Sequence, residues 1–235
     1  MSTANTNSAG HGHHHAHHYD SADHEYQSSK QGIWLFLCTE ILMFGGLFVG
    51  YAIFHHIYPD IFKIGSTFTD WRMGAANTVV LLTSSLTMAL GIYYTQTGNR
   101  SKAITMMGIT VACGAVFMLI KYFEYSHKIH LGLLPGSWFH ADMNALLEEV
   151  RQKKMATLES IPSNLPLYFS FYYMMTGIHG IHVLLGMAMI VWVMIRSARG
   201  DFSPQHYTAV EGVGLFWHLV DLVWIYLFPL LYLVS

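Results

Sequence analysis

Charge is what this sequence has least of. Asp, Glu, Lys and Arg make up 11% of its 235 residues, and 12 basic against 14 acidic side chains leave it close to neutral. Soluble domains carry about a quarter charged residues, so this composition argues against one. The missing basic excess also removes the electrostatic footprint of a nucleic-acid binder. Cysteine is nearly absent: Cys38 and Cys113 both sit inside apolar runs, where neither a disulfide framework nor a CxxC metal site can be argued. No cleavable signal peptide is visible, because the N-terminus is polar and the first apolar run is too long for an h-region. No internal repeat stands out.

What is present is apolar length. More than half of the residues (53%) are hydrophobic and the mean hydropathy is +0.35. Five runs, at about 32–58, 74–95, 102–125, 166–195 and 210–234, each exceed the roughly 20 residues that a hydrocarbon core of about 30 Å requires. The expected fold is therefore all-α, a polytopic membrane bundle of five transmembrane helices. Residues 1–30 are rich in Ser, Ala, Gly and His, with six histidines from His11 to His18, and read as a disordered tail. That tail is a metal-binding segment, a solvated low-complexity stretch or a purification-tag remnant. Between the third and fourth runs, the loop 127–165 carries a mixed-charge amphipathic stretch, Met143 to Leu158, that reads as a surface helix. Lys30, Arg100, Lys102, Arg196 and Arg199 hug the span ends on one side, which by the positive-inside logic favours a cytoplasmic N-terminus.

An ionisable side chain in hydrocarbon costs roughly 2.5–3.5 kcal/mol at the centre, so each one inside a run must face protein or water. The last run is the most demanding. Glu211, His218 and Asp221 fall within an arc of about 80° of that helix, with Trp217, Trp224 and Leu227 on the other faces. In the fourth run His179, His182 and Thr176 share an arc of about 120°, and glycines beside them allow a neighbour to approach. These histidines read as a hydrogen-bonded network with Glu211, His218 and Asp221 rather than as metal ligands. Ligation of a haem or metal remains the alternative, since neutral imidazole is the commonest transition-metal ligand.

Three further sets stand out. Glu40 in the first run shares an azimuth with Tyr51 and His55, and its carboxyl faces protein or a water-filled cleft. Asn77, Ser84, Thr87 and Gly91 form a small-and-polar packing seam on the second run. Lys121 and Glu124, spaced i, i+3 near the end of the third, form an intramembrane ion pair.

These residues together resemble a known family. Thr176-Gly-x-His179-Gly-x-His182-Val183, Glu211, and Phe216-Trp217-His218-Leu219-Val220-Asp221-Leu222-Val223-Trp224 are similar to the last two helices of subunit III of the haem-copper terminal oxidases. Glu40, Asn77-Thr78 with Leu82-Thr83-Ser84-Ser85 and Thr87, and Glu124-Tyr125 extend the likeness through every span. The resemblance implies a five-helix bacterial form, without the first two helices of the longer members. It implies a non-catalytic accessory subunit of a proton-pumping cytochrome c oxidase in the bacterial inner membrane, supporting assembly, proton uptake and turnover stability. Haem and copper would lie in partner subunits, with subunit I touching this chain directly and subunit II and other respiratory subunits nearby. Bound phospholipid is expected, while no catalytic residue and no metal are expected on the chain itself. Glu40 matches the family's intramembrane carboxylate, on the face toward subunit I. Lys121 stands where longer members usually have Gln. Alternatives are an accessory subunit of a quinol oxidase or nitric oxide reductase, a self-contained b-type membrane cytochrome using His179 or His182 with His218, and a small proton-coupled transporter with Glu40, Lys121 and Glu124 as relay.

Overall fold

The structure, a computed structural model, describes residues 22–135, 138–142, 144, 146–148, 162–202 and 207–233, of which 22–26 by backbone alone. Five helices are long and apolar enough to cross a membrane, and no strand occurs among the described residues. They are α1 (Ala22–Ile57), α3 (Trp71–Gln96), α4 (Arg100–His130), α5 (Leu165–Arg199) and α6 (Thr208–Phe228), with a short helix α2 (Pro59–Ser66) after the first. A π-helical turn, Pro229–Leu233, extends α6. His11–His18 lies outside the described residues, as does most of the expected surface helix, of which Asn144 and residues 146–148 are helical.

The helices overrun the apolar stretches that mark them. Ala22–Lys30, expected to be disordered, instead forms the first turns of α1, and α4 continues five residues past Tyr125. At 36 residues α1 is about 54 Å long, well beyond a hydrocarbon core of about 30 Å. Outside that core the good helix formers Gln27 and Lys30 keep the ladder going. Pro59-Asp60, which reads as a stop, also starts something: proline fits the first turn of a helix, and α2 buries Ile61, Phe62 and Ile64.

Helix ends are fixed locally. Asp70 accepts from the Arg72 N–H at 2.9 Å and caps α3, while Asn99 does the same for α4 through Lys102 N–H at 3.4 Å. Between them Gly98 (φ 75°) turns the chain into a tight hairpin, and Gly200 (φ 93°) closes α5 with its N–H on the Arg196 carbonyl.

The long helices alternate in direction. Where α1 begins, Lys30 lies near Glu211 at the start of α6; at the opposite end Tyr51 donates to the Leu230 carbonyl at 2.7 Å. Pro229 lacks an N–H and disturbs the ladder there. The π turn's carbonyls are taken up from outside: Leu231 accepts from Tyr168 at 3.1 Å and from Thr69 at 3.3 Å.

Packing inside a membrane depends on close approach rather than on expelling water. Trp217 shows how it is achieved. Its indole is fully buried against Gly114 of α4 and Gly186 of α5, where an added Cβ would lie 3.0 Å and 2.7 Å from ring atoms. Its N–H reaches Ser84 Oγ of α3 at 3.1 Å, so one side chain of α6 touches three other helices. By contrast Gly177 and Gly180, read as close-approach sites, have nothing within 4 Å of an added Cβ and open onto a groove.

Candidate functional site

The polar side chains of the spans do not form one network. They divide into separate clusters, each joining different helices.

The first joins α1 to α5. Glu40 Oε2 lies 2.8 Å from His182 Nε2, and His182 Nδ1 lies 2.7 Å from the Ile178 carbonyl one turn back. Phe44 meets the imidazole edge-on at 5.2 Å and Phe216 flanks it at 6.2 Å. Both polar side chains stay slightly exposed at the helix seam, at about 15%. Tyr51, about three turns from Glu40, stacks on His55 at 6.0 Å and takes no part in this pair.

The second cluster is buried near the opposite end. Glu124 accepts from Lys121 at 2.9 Å and from Lys128 at 2.8 Å, and both tyrosines, Tyr172 of α5 and Tyr232 of the π turn, donate to it at 2.8 Å. Lys121 Nζ also lies over four aromatic rings, Tyr125, Tyr172, Trp224 and Tyr232, at 5.2 to 5.6 Å. The expected pair of Lys121 and Glu124 is therefore part of a larger cage. Lys128, one further turn along α4, was not expected in the pair, although its i, i+4 spacing from Glu124 is a signal that could have found it; the tyrosines come from distant sequence. A cavity of about 680 Å3, lined by Asp70, Arg72, His127 and Lys128 among others, opens beside it.

The third runs along the α3–α6 seam. Ser85 Oγ and His218 Nδ1 are 2.7 Å apart, Ser84 Oγ lies 3.5 Å from Asp221 Oδ2, and Thr87 pairs with Thr110 of α4 at 2.8 Å. Asn77, Ser84, Thr87 and Gly91 are all buried on one side of α3, as their spacing implies. Polar serines of α3 thus hold the last helix.

Two expected network members sit elsewhere. Glu211 turns to Lys30 of α1 at 3.7 Å, away from His218 and Asp221. His179 is enclosed by Phe117 (5.5 Å) and Trp224 (5.3 Å), with no hydrogen-bond partner on either ring nitrogen. Azimuth along one helix says which residues share a face, but not which neighbour that face meets. No group of three or more His, Cys, Asp or Glu side chains suited to a metal ion occurs among the described residues.

The geometry defines a class: a multi-pass helical membrane protein whose ionisable side chains are held between helices by hydrogen bonds. The family model for cytochrome c oxidase subunit III matches residues 10–138 and 156–235. The chain belongs to that family, subunit III of the haem-copper oxidases, and is one subunit of an oxidase complex. It is similar to the probable quinol oxidase subunit 3 of Staphylococcus haemolyticus, with 27% identity over 92% of this chain and 94% of that one. It is also similar to the cytochrome c oxidase subunit 3 of Synechocystis sp., with 30% identity over 86% of this chain and 74% of the relative. The probable quinol oxidase subunit 3 of Staphylococcus aureus strain USA300 shares 26% over 92% of this chain.

Proposed function

We propose that this chain is the non-catalytic accessory subunit of a proton-pumping cytochrome c oxidase in a bacterial inner membrane, with its N-terminus cytoplasmic. It docks on subunit I, which with subunit II carries the haem and copper, and it supports assembly, proton uptake and endurance under turnover. One observation carries the reading. His179, His182 and His218 have separate surroundings: His182 with Glu40, His218 with Ser85, and His179 between aromatic rings. That arrangement favours a structural and proton-handling bundle over one organised around a redox centre.

The face carrying Glu40 is the docking face. α1 is the least enclosed of the five spans, and Phe36 and Met43, within about 60° of Glu40 around the helix, are exposed. The Glu40–His182 pair reaches the surface at the α1–α5 seam, where lipid contact is costly, so covering by a protein partner stabilises it. Phospholipid binds elsewhere on the chain: the apolar groove of about 450 Å3 between α4 and α5, lined by Met118, Tyr122, Gly177, Gly180 and Leu184, accepts an acyl chain.

A second reading, a quinol oxidase subunit, is favoured by length. This chain matches 94% of the staphylococcal quinol oxidase subunit but 74% of the cyanobacterial cytochrome c oxidase subunit. Purification through this chain in mild detergent, followed by identification of the co-purifying chains, tests the assignment. A haem-copper subunit I should accompany it, and oxygen consumption driven by reduced cytochrome c or by a quinol separates the two donors. A pigmented chain that is active with no such partner would overturn both readings.

A further inference from the structure

Tyr125 and Thr176 both line the groove between α4 and α5, and the direction of their hydrogen bond is fixed by a third group. The two hydroxyl oxygens lie 2.6 Å apart, and Thr176 Oγ1 lies 2.6 Å from the Tyr172 carbonyl one turn back. A carbonyl only accepts, so the single hydrogen of Thr176 goes to Tyr172. The Tyr125 hydrogen therefore goes to Thr176. What Tyr125 keeps is an acceptor oxygen, to which no described residue donates.

The rest of the lining narrows the occupant. Lys121 contributes an ammonium with three hydrogens, and three oxygens outside the groove, of Glu124, Tyr172 and Tyr232, take them at 2.9 to 3.1 Å. A phosphate finds no spare lysine hydrogen there. The apolar run of α4 ends at about residue 125, which puts Tyr125 at the edge of the hydrocarbon. From there the groove continues inward to Phe117, about 12 Å deeper and within a single leaflet of a core about 30 Å thick. Its floor is open, since an added Cβ at Gly177 or Gly180 meets nothing within 4 Å. At the level of Tyr125 a phospholipid presents ester oxygens, which only accept, and so does the Tyr125 oxygen.

We propose that this groove prefers a lipid whose polar end is a hydroxyl, donating to Tyr125 while its apolar chain runs inward toward Phe117. The preference rests on the groove being a lipid site, as the proposed function has it. Phospholipid chains fill the groove when no such lipid is at hand, and the hydroxyl lipid displaces them.

Photolabelling of the intact assembly in phosphatidylcholine nanodiscs tests this. The probe is dodecanol carrying a diazirine in its chain, compared with the methyl ether of the same molecule, which can only accept. Label mapped to Met118, Tyr122 and Leu184 should be about fivefold higher with the alcohol, the ratio that a net hydrogen bond of about 1 kcal/mol gives. Thr176→Val keeps the shape and releases the Tyr125 hydrogen, so labelling by the ether should rise toward that of the alcohol. Equal labelling by the two probes in the unmodified assembly would overturn the hydroxyl preference, whether or not the variant assembles, and would leave the groove as a site for any apolar chain. An ether that stays low in Thr176→Val would overturn the assigned direction of the hydrogen bond and the preference built on it. Groove residues labelled by neither probe would overturn the lipid site itself along with the preference.

Discussion

Glu40 and His182 are joined across the α1–α5 seam, Oε2 to Nε2 at 2.8 Å, while His182 Nδ1 lies 2.7 Å from the Ile178 carbonyl. Glu40→Gln keeps a hydrogen-bonding group facing Nε2 and removes the carboxyl's capacity to exchange a proton. The complex should assemble with unchanged haem spectra, while proton uptake or turnover lifetime changes. Single-turnover proton uptake and activity under sustained turnover are the measurements, and if both stay at wild-type levels the pair is a packing contact only.

The buried charge cluster yields an ordered series. Glu124 accepts from two ammonium groups and two phenols, so Glu124→Gln leaves Lys121 and Lys128 without their shared carboxylate. Breaking a buried ion pair from one side costs about 3–5 kcal/mol. Lys121→Gln, which keeps a donor and removes one charge, should cost clearly less, since Glu124 retains Lys128 and both tyrosines. Assembled complex recovered from membranes and its thermal midpoint should fall in that order; equal loss in the two variants would show that the aromatic cage around Lys121, rather than Glu124, holds the cluster.

Close packing at Trp217 gives a prediction with no polar component. Gly186→Ala places a methyl group 2.7 Å from the indole of Trp217, a ring already held by Gly114 behind it and Ser84 at its N–H. Overpacking of this sort costs about 1–3 kcal/mol. Gly180→Ala, on the same helix with open space above it, should be neutral in the same thermal assay. Equal destabilisation by both would attribute the effect to helix backbone rather than to the indole.

The spans were legible because hydrocarbon imposes a length on apolar runs, and nothing else in the sequence imitates that length. Their true ends were not. Lys30 and Lys128 are polar yet helical, since a helix does not stop where the bilayer does. Polar faces were likewise legible on each helix alone: Asn77, Ser84, Thr87 and Gly91 do share a buried side of α3. What periodicity could not supply is the neighbour. His182 meets Glu40 on α1, His218 meets Ser85 on α3, and Glu211 meets Lys30, although all three were read as a single network. That information lies in the order in which helices pack, which a one-dimensional pattern does not carry. Tyr172 and Tyr232 were missed for the same reason, because nothing in their local sequence distinguishes them from other span tyrosines.

Asp221 separates a structural from a catalytic role for the α3–α6 seam. Its Oδ2 lies 3.5 Å from Ser84 Oγ, which also receives the Trp217 N–H and donates to the Leu81 carbonyl. One hydroxyl thus accepts from one side chain of the last helix and lies beside another, its single hydrogen shared between the Leu81 carbonyl and Asp221. Asp221→Asn preserves shape but adds amide donors for which the protein offers no new acceptor, at a cost on the order of 1 kcal/mol. The loss falls on the contact that seats α6, so it should appear in how much complex forms. Quantified against haem content, the amount of assembled complex should drop while the rate per complex stays near wild type. A normal yield with a lowered rate would instead place Asp221 in proton handling, and the seam would then be part of the working path rather than its support.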